Sequence, residues 1–124
     1  MGPEEQTRHV VLIVEDDPWV LMSAVDLVVE AGFEAISAAN ADEAIRILEQ
    51  RNDIRVIFTD INMPGSMDGM KLARAARERW PPIEILVTSA VIPHEIGQLP
   101  DRGIFLPKPY TGAQIVGALR KLAA

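Results

Sequence analysis

Three apolar runs limit the folds open to this chain. "HVVLIV" (9–14), "RVIFTD" (55–60) and "IEILVTS" (83–89) are short, rich in β-branched residues and apolar at nearly every position. A strand with one wet face would alternate apolar and polar residues. These runs do not alternate, so each reads as a strand buried on both faces, which is the pattern of a parallel sheet. Parallel neighbours need long crossovers, and the intervening segments read as helices. "DPWVLMSAVDLVVEAG" offers Asp17 as N-cap, Pro18 at the first helical position and Gly32 at the end, predicting a helix over 18–31. "EAISAA" (34–39) predicts a second strand, and "NADEAIRILEQR" a helix capped by Asn40 with Glu43 placed close to a capping box. "SMDGMKLARAARERW" (66–80) predicts a third helix, stopped by Pro81 and Pro82. A fifth strand falls near 103–106, and "TGAQIVGALRKLAA" predicts a last helix with Thr111 and Gln114 set for a capping box.

Strands alternating with helices at this spacing predict an α/β domain. The expected architecture is a doubly wound, five-stranded parallel sheet in the order 2-1-3-4-5, the flavodoxin-like arrangement. One segment breaks the rhythm. Residues 89–103 should hold the fourth helix, but Pro93, Gly97 and Pro100 leave room for about two turns. That helix is expected to be short or distorted. With 124 residues and 48% hydrophobic composition, one domain over 9–124 is expected, preceded by a flexible tail at 1–8. The formal net charge of −6 argues against nucleic acid as a partner. No apolar run approaches the roughly 20 residues of a membrane span, so no membrane association is expected. The absence of cysteine excludes thiolate chemistry and Cys-ligated zinc, and fits a cytoplasmic location.

In sheets of this order the ligand site lies outside the carboxyl ends of the strands. The unusual residues fall there. The first strand runs into Glu15, Asp16 and Asp17, the third ends in Asp60, the fourth in Thr88 and Ser89, and Lys108 follows the fifth. Strands one and three are neighbours in this order, so their acids share one edge. Several carboxylates that close cannot all ionise cheaply. A divalent cation resolves the conflict, and an all-oxygen donor set without His or Cys favours Mg²⁺. Mg²⁺ takes one or two carboxylates and bridges to phosphate oxygens. Asp60 is then a ligand or a nucleophile. Thr88 and Lys108 are placed to stabilise charge on phosphoryl oxygens. "DINMPG" (60–65) superficially resembles the opening of a Ca²⁺ loop, but Pro64 and Lys71 stand where ligands belong.

"VVLIVEDDP", "FTDINMPGSMDG", "LVTSA" and "FLPKPY" together resemble the receiver domain of two-component response regulators, in the family's order and over nearly the whole chain. The resemblance implies that Asp60 is the phosphoacceptor. It implies that Asp16 and Asp60 ligate Mg²⁺ directly, Glu15 through water, and that the backbone carbonyl of Asn62 adds another oxygen. It implies a cis Lys108–Pro109 bond, and a switch in which Thr88 moves toward the phosphate and Phe105 turns inward. The implied donor is a phosphohistidine on a histidine kinase or a histidine phosphotransfer protein, as in a phosphorelay. The implied target is a downstream protein, with a homodimer left open. On this reading the chain catalyses its own phosphorylation and dephosphorylation and is not a turnover enzyme.

The sequence departs from the family pattern at four points. The loop after Asp60 is one residue longer than usual, Phe105 lacks the hydroxyl of the common tyrosine, Glu15 replaces the commoner aspartate, and the fourth helix is weak. The last point implies either a different signalling surface or a segment, 90–102, that orders on binding. Three rival readings share parts of this pattern. A flavodoxin-type electron carrier needs a Ser/Thr/Gly-rich phosphate loop where this chain has Glu-Asp-Asp-Pro. A phosphatase acting through an aspartyl phosphate needs an acid where Asn62 stands. A receiver-like binding module that is never phosphorylated shares every motif. His9 and His94 each stand alone and read as surface residues.

Overall fold

The computed structural model describes residues 9–61, 68–89 and 99–123. In chain order these form β1 (Val10–Val14), α1 (Pro18–Glu30), β2 (Glu34–Ala38), α2 (Ala41–Gln50), β3 (Ile54–Asp60), α3 (Gly69–Arg79), β4 (Glu84–Ser89), β5 (Ile104–Pro107) and α4 (Gly112–Ala123). All four strand pairings are parallel, and the sheet order is β2-β1-β3-β4-β5, as expected from the alternation of elements. The tail at 1–8, the Asn62 carbonyl, the lengthened loop at 62–67 and the core of the weak helix, 90–98, lie outside the described residues.

The helix ends follow from local chemistry. The Asp17 carboxylate accepts the Trp19 N–H at 2.9 Å and the Val20 N–H at 3.3 Å, starting α1. At its other end Phe33 N–H donates to Val28 carbonyl and Gly32 N–H to Val29 carbonyl. This paired closure needs Gly32 at φ +98°, a left-handed conformation that glycine adopts without penalty. Asn40 caps α2 by accepting the Glu43 N–H at 2.8 Å, while the Glu43 carboxylate reaches back to Ala39 N–H at 2.8 Å. Thr111 and Gln114 exchange two hydrogen bonds at the head of α4.

The third helix differs from its expected span. It begins at Gly69, not Ser66, because Asp68 is extended and its carboxylate caps Lys71 N–H at 2.8 Å. Position 69 also tolerates no side chain. A Cβ there would lie 1.9 Å from the Asp60 carbonyl oxygen, so only glycine lets α3 start against the end of β3.

Side chains alternate across the sheet and divide the core in two. Leu12, Ile57, Ile85 and Val87 pack beneath α2 and α3 with Leu48, Leu72 and Ala76. Val11, Ile13, Phe58 and Leu86 pack beneath α1 and α4 with Val28, Ile115 and Leu119. At the amino ends of the strands, arginines hold the loops. The Arg77 guanidinium, mostly buried, donates to the carbonyls of Asp101, Pro81 and Ile83. Arg102 donates to the Pro81 carbonyl at 2.7 Å and lies 3.4 Å from Glu84. Beside them the Arg79 guanidinium stacks over the Trp80 ring at 4.4 Å and pairs with Glu49 at 2.9 Å.

Candidate functional site

The strand registers bring the predicted residues together. Asp60 lies opposite Thr88 across β3 and β4, and Ser89 lies opposite Pro107 across β4 and β5. Lys108 N–H donates to the Ser89 carbonyl at 2.9 Å, which sets the residue just beyond β5 level with the end of β4. Period-two alternation puts Asp60 and Thr88 on the same face as Phe58 and Leu86, toward α1. Phe105 takes the other face. It is half-buried against the core under α2 and α3.

One carboxylate oxygen from each of Glu15, Asp16 and Asp60 lies within 4.8 Å of the others. Glu15 is 5% exposed and Asp60 8%, whereas Asp16 opens to solvent. The Lys108 ammonium sits between the two buried acids, donating to Asp60 Oδ2 at 3.2 Å and lying 3.6 Å from Glu15 Oε1. Glu15 also accepts the Asp17 N–H at 3.0 Å. The Lys108–Pro109 peptide is cis.

Among the described residues these contacts crowd the acids around one cation. Burial pushes the Glu15 carboxyl up; the Asp17 N–H and Lys108 oppose the shift, and the neighbouring Asp60 adds to it. Burial alone would lower Lys108, but the attraction of Asp60 and Glu15 outweighs it and holds the ammonium above its usual range. Among the described residues three carboxylates meet one ammonium, an imbalance that a divalent cation would offset. The Thr88 hydroxyl is buried, 2% exposed by residue, and has no hydrogen-bond partner among the described residues. An oxygen-only cluster of this charge fits Mg²⁺, and the orphaned hydroxyl fits an anionic oxygen beside it.

The family model of the response regulator receiver domain matches residues 11–120. The chain belongs to the response regulator receiver family. Among solved structures this receiver resembles a response regulator receiver protein from Sinorhizobium medicae, with 30% identity, a TM-score of 0.86 and 94% of each chain covered. The receiver domain of the hybrid histidine kinase CckA is 28% identical, with a TM-score of 0.78, covering 93% of this chain and 99% of that one. Among curated proteins, the sensor kinase CckA of Brucella abortus is 30% identical over 116 residues, which are 90% of this chain but 12% of the kinase. The response regulator FleR of Pseudomonas aeruginosa is 34% identical over 80 residues, 64% of this chain and 16% of FleR. The receiver therefore spans a small part of the curated relatives it matches. No described helix is long and apolar enough to cross a membrane.

Two residues of the site escaped sequence reasoning. Gly69 fixes the approach of α3 to the Asp60 backbone; a glycine directly after a capping aspartate was the available signal. Tyr110 packs edge-on against Phe58, with ring centroids 6.0 Å apart, and lines the space beneath the acids. Burial raises its phenol; Lys108 opposes the shift, and Glu15 and Asp60 add to it. Nothing in its sequence position beyond the Lys-Pro pair announced this. Next to the site, the start of α1 exposes Trp19 and Met22, at 77% and 59%; Val29, exposed as well, lies at the helix's far end. Beside Trp19 lies a shallow apolar depression formed by Val20, Lys108, Pro109 and Tyr110.

Proposed function

We propose that this receiver takes a phosphoryl group from a phosphohistidine onto Asp60 and uses the resulting charge to regulate a protein partner. The meeting of Glu15, Asp16, Asp60, Thr88 and Lys108 at one sheet edge carries this reading. An Asp60 carboxylate oxygen attacks phosphorus as the P–N bond to the donor imidazole breaks, and the bonding pair leaves with the ring nitrogen. Catalysis is positioning and electrostatics, as in phosphoryl transfer generally. Asp16 and Asp60, with Glu15 behind them, would hold Mg²⁺, and the ion would supply neutralising charge for the transferring oxygens. Lys108, already 3.2 Å from Asp60, remains on the phosphoryl group as charge develops. Thr88 supplies its unused hydroxyl. Water later hydrolyses the acyl phosphate and resets the chain, which thus acts on itself and not on a separate substrate.

The donor docks over the outer face of α1 and the Lys108–Tyr110 turn. Trp19 and Met22 expose apolar surface on the first turns of α1, contiguous exposed apolar surface marks interaction sites, and the Lys108–Tyr110 turn adjoins Asp60. Intact mass after incubation with acetyl phosphate tests the reading. Wild-type protein should gain one phosphoryl group only with Mg²⁺, and Asp60→Asn should gain none. A wild type that neither forms this adduct nor binds beryllofluoride would instead mark a receiver fold used purely as a binding module.

A further inference from the structure

Beneath the acids lies a small chamber in which about 10 Å³ is open to a water molecule. That is close to the least space that holds one. Its walls are mostly apolar, with Ala24 and Phe58 among them, but Glu15, Asp60, Thr88 and Tyr110 also line it. A buried water needs about two to four polar partners, and each of these four lining residues carries a side-chain oxygen. Thr88 lines this space, and its hydroxyl is buried without a partner among the described residues. Buried hydroxyls in folded proteins are almost always satisfied, by protein or by ordered water.

We propose that the chamber holds one ordered water that partners the Thr88 hydroxyl in the resting state, with Glu15 and the Tyr110 phenol as its further contacts. The proposal rests on Asp60 being the phosphoacceptor. Thr88 has a single hydroxyl proton. The water accepts this proton and donates its own to Glu15, so the water and a phosphoryl oxygen on Asp60 compete for it. The water therefore opposes the switch, and Tyr110 is a positioning residue acting through it. It sets how readily Thr88 is released, without touching the phosphoryl group.

The test pairs two measurements on the full chain. Nuclear Overhauser contacts to solvent detect a long-lived water beside the Thr88 methyl. Titration with beryllofluoride and Mg²⁺ reads the cost of the switch. Tyr110→Phe keeps the ring against Phe58 and removes one contact to the water. The wild type should show the water contact. Tyr110→Phe should weaken it and bind beryllofluoride about threefold to tenfold more tightly, the range expected for one hydrogen bond. Tyr110→Leu, which removes the ring as well, separates packing from hydrogen bonding: a purely structural role predicts a lower melting temperature for Leu and no change in affinity for Phe. That result, or a wild type with no bound water at Thr88, overturns the proposal. A wild type that shows the water yet binds no beryllofluoride overturns the phosphoacceptor reading, and the switching role with it.

Discussion

The two ends of the sheet handle charge in opposite ways. At the amino end, buried and half-buried arginines meet carbonyls and carboxylates at once: Arg77 on three backbone carbonyls, Arg102 on Pro81 and Glu84, Arg79 on Glu49. At the carboxyl end, three acids crowd one lysine and a buried hydroxyl has no partner among the described residues. Among the described residues the first end is held by many partners, although Arg77 Nη2 has only a 3.8 Å ion pair with Glu84. The second is short of positive charge, and such a site is one whose energy a ligand can change.

Substitutions can break or sharpen this contrast. The largest effect is expected at the amino end. Arg77→Met leaves the Asp101, Pro81 and Ile83 carbonyls without their donor, and should lower unfolding free energy by about 3 kcal/mol, read from urea denaturation. Phosphorylation by acetyl phosphate should continue at nearly the wild-type rate. A large loss of phosphorylation in a folded Arg77→Met protein would show that the two ends are not separable. Gly69→Ala comes next. Its methyl group meets the Asp60 carbonyl, and overpacking of this kind costs about 1–3 kcal/mol. Because the displaced backbone belongs to Asp60, phosphorylation should slow as stability falls.

At the acidic end the effect on stability should be smaller. Thr88→Val keeps the shape and removes the hydroxyl that the proposed water partners, so unphosphorylated protein should lose about 1 kcal/mol, while the response of the partner-binding surface to beryllofluoride is lost. A stabilised Thr88→Val would mean that the hydroxyl is unsatisfied at rest and that no water partners it. The smallest effect is a pH dependence. The folded pKa of Glu15 lies above its ordinary value of 4.5. An acid shifted upward binds its proton more tightly when folded, so it destabilises the fold above its folded pKa and contributes nothing below its unfolded one. In metal-free buffer, stability should therefore fall as pH rises from 4.5 through the raised value. Glu15→Gln should flatten that part of the profile, and Mg²⁺ should offset the loss in wild type.

Much of this architecture was legible in the residues because the signals are local. Buried strands announce themselves by unbroken apolar runs, and Asp17, Asn40 and Thr111 cap helices through atoms within three residues of themselves. The acids, Thr88 and Lys108 could be brought together on paper because strand order and strand ends define one edge. The start of α3 was misplaced because Asp68 was counted as helical when its carboxylate serves better as a cap. Contacts to distant backbone were beyond reach. The carbonyls that hold Arg77 carry no residue signature, and the collision that demands Gly69 involves a chain segment nine positions away. Tyr110 was missed for the same reason: its neighbours Phe58, Glu15 and Thr88 come from three separate strands or strand ends.

The two tryptophans happen to divide between these ends. Trp19 stands in solvent beside the site, and Trp80 lies under the Arg79 guanidinium at the opposite pole. An indole in water emits at longer wavelength than one held against protein, and a stacked cation dims it. The chain thus contains two optical reporters, one at each pole. Light from Trp19 follows events near Asp60, while light from Trp80 follows the integrity of the arginine-held loops, so a single emission spectrum distinguishes switching from unfolding.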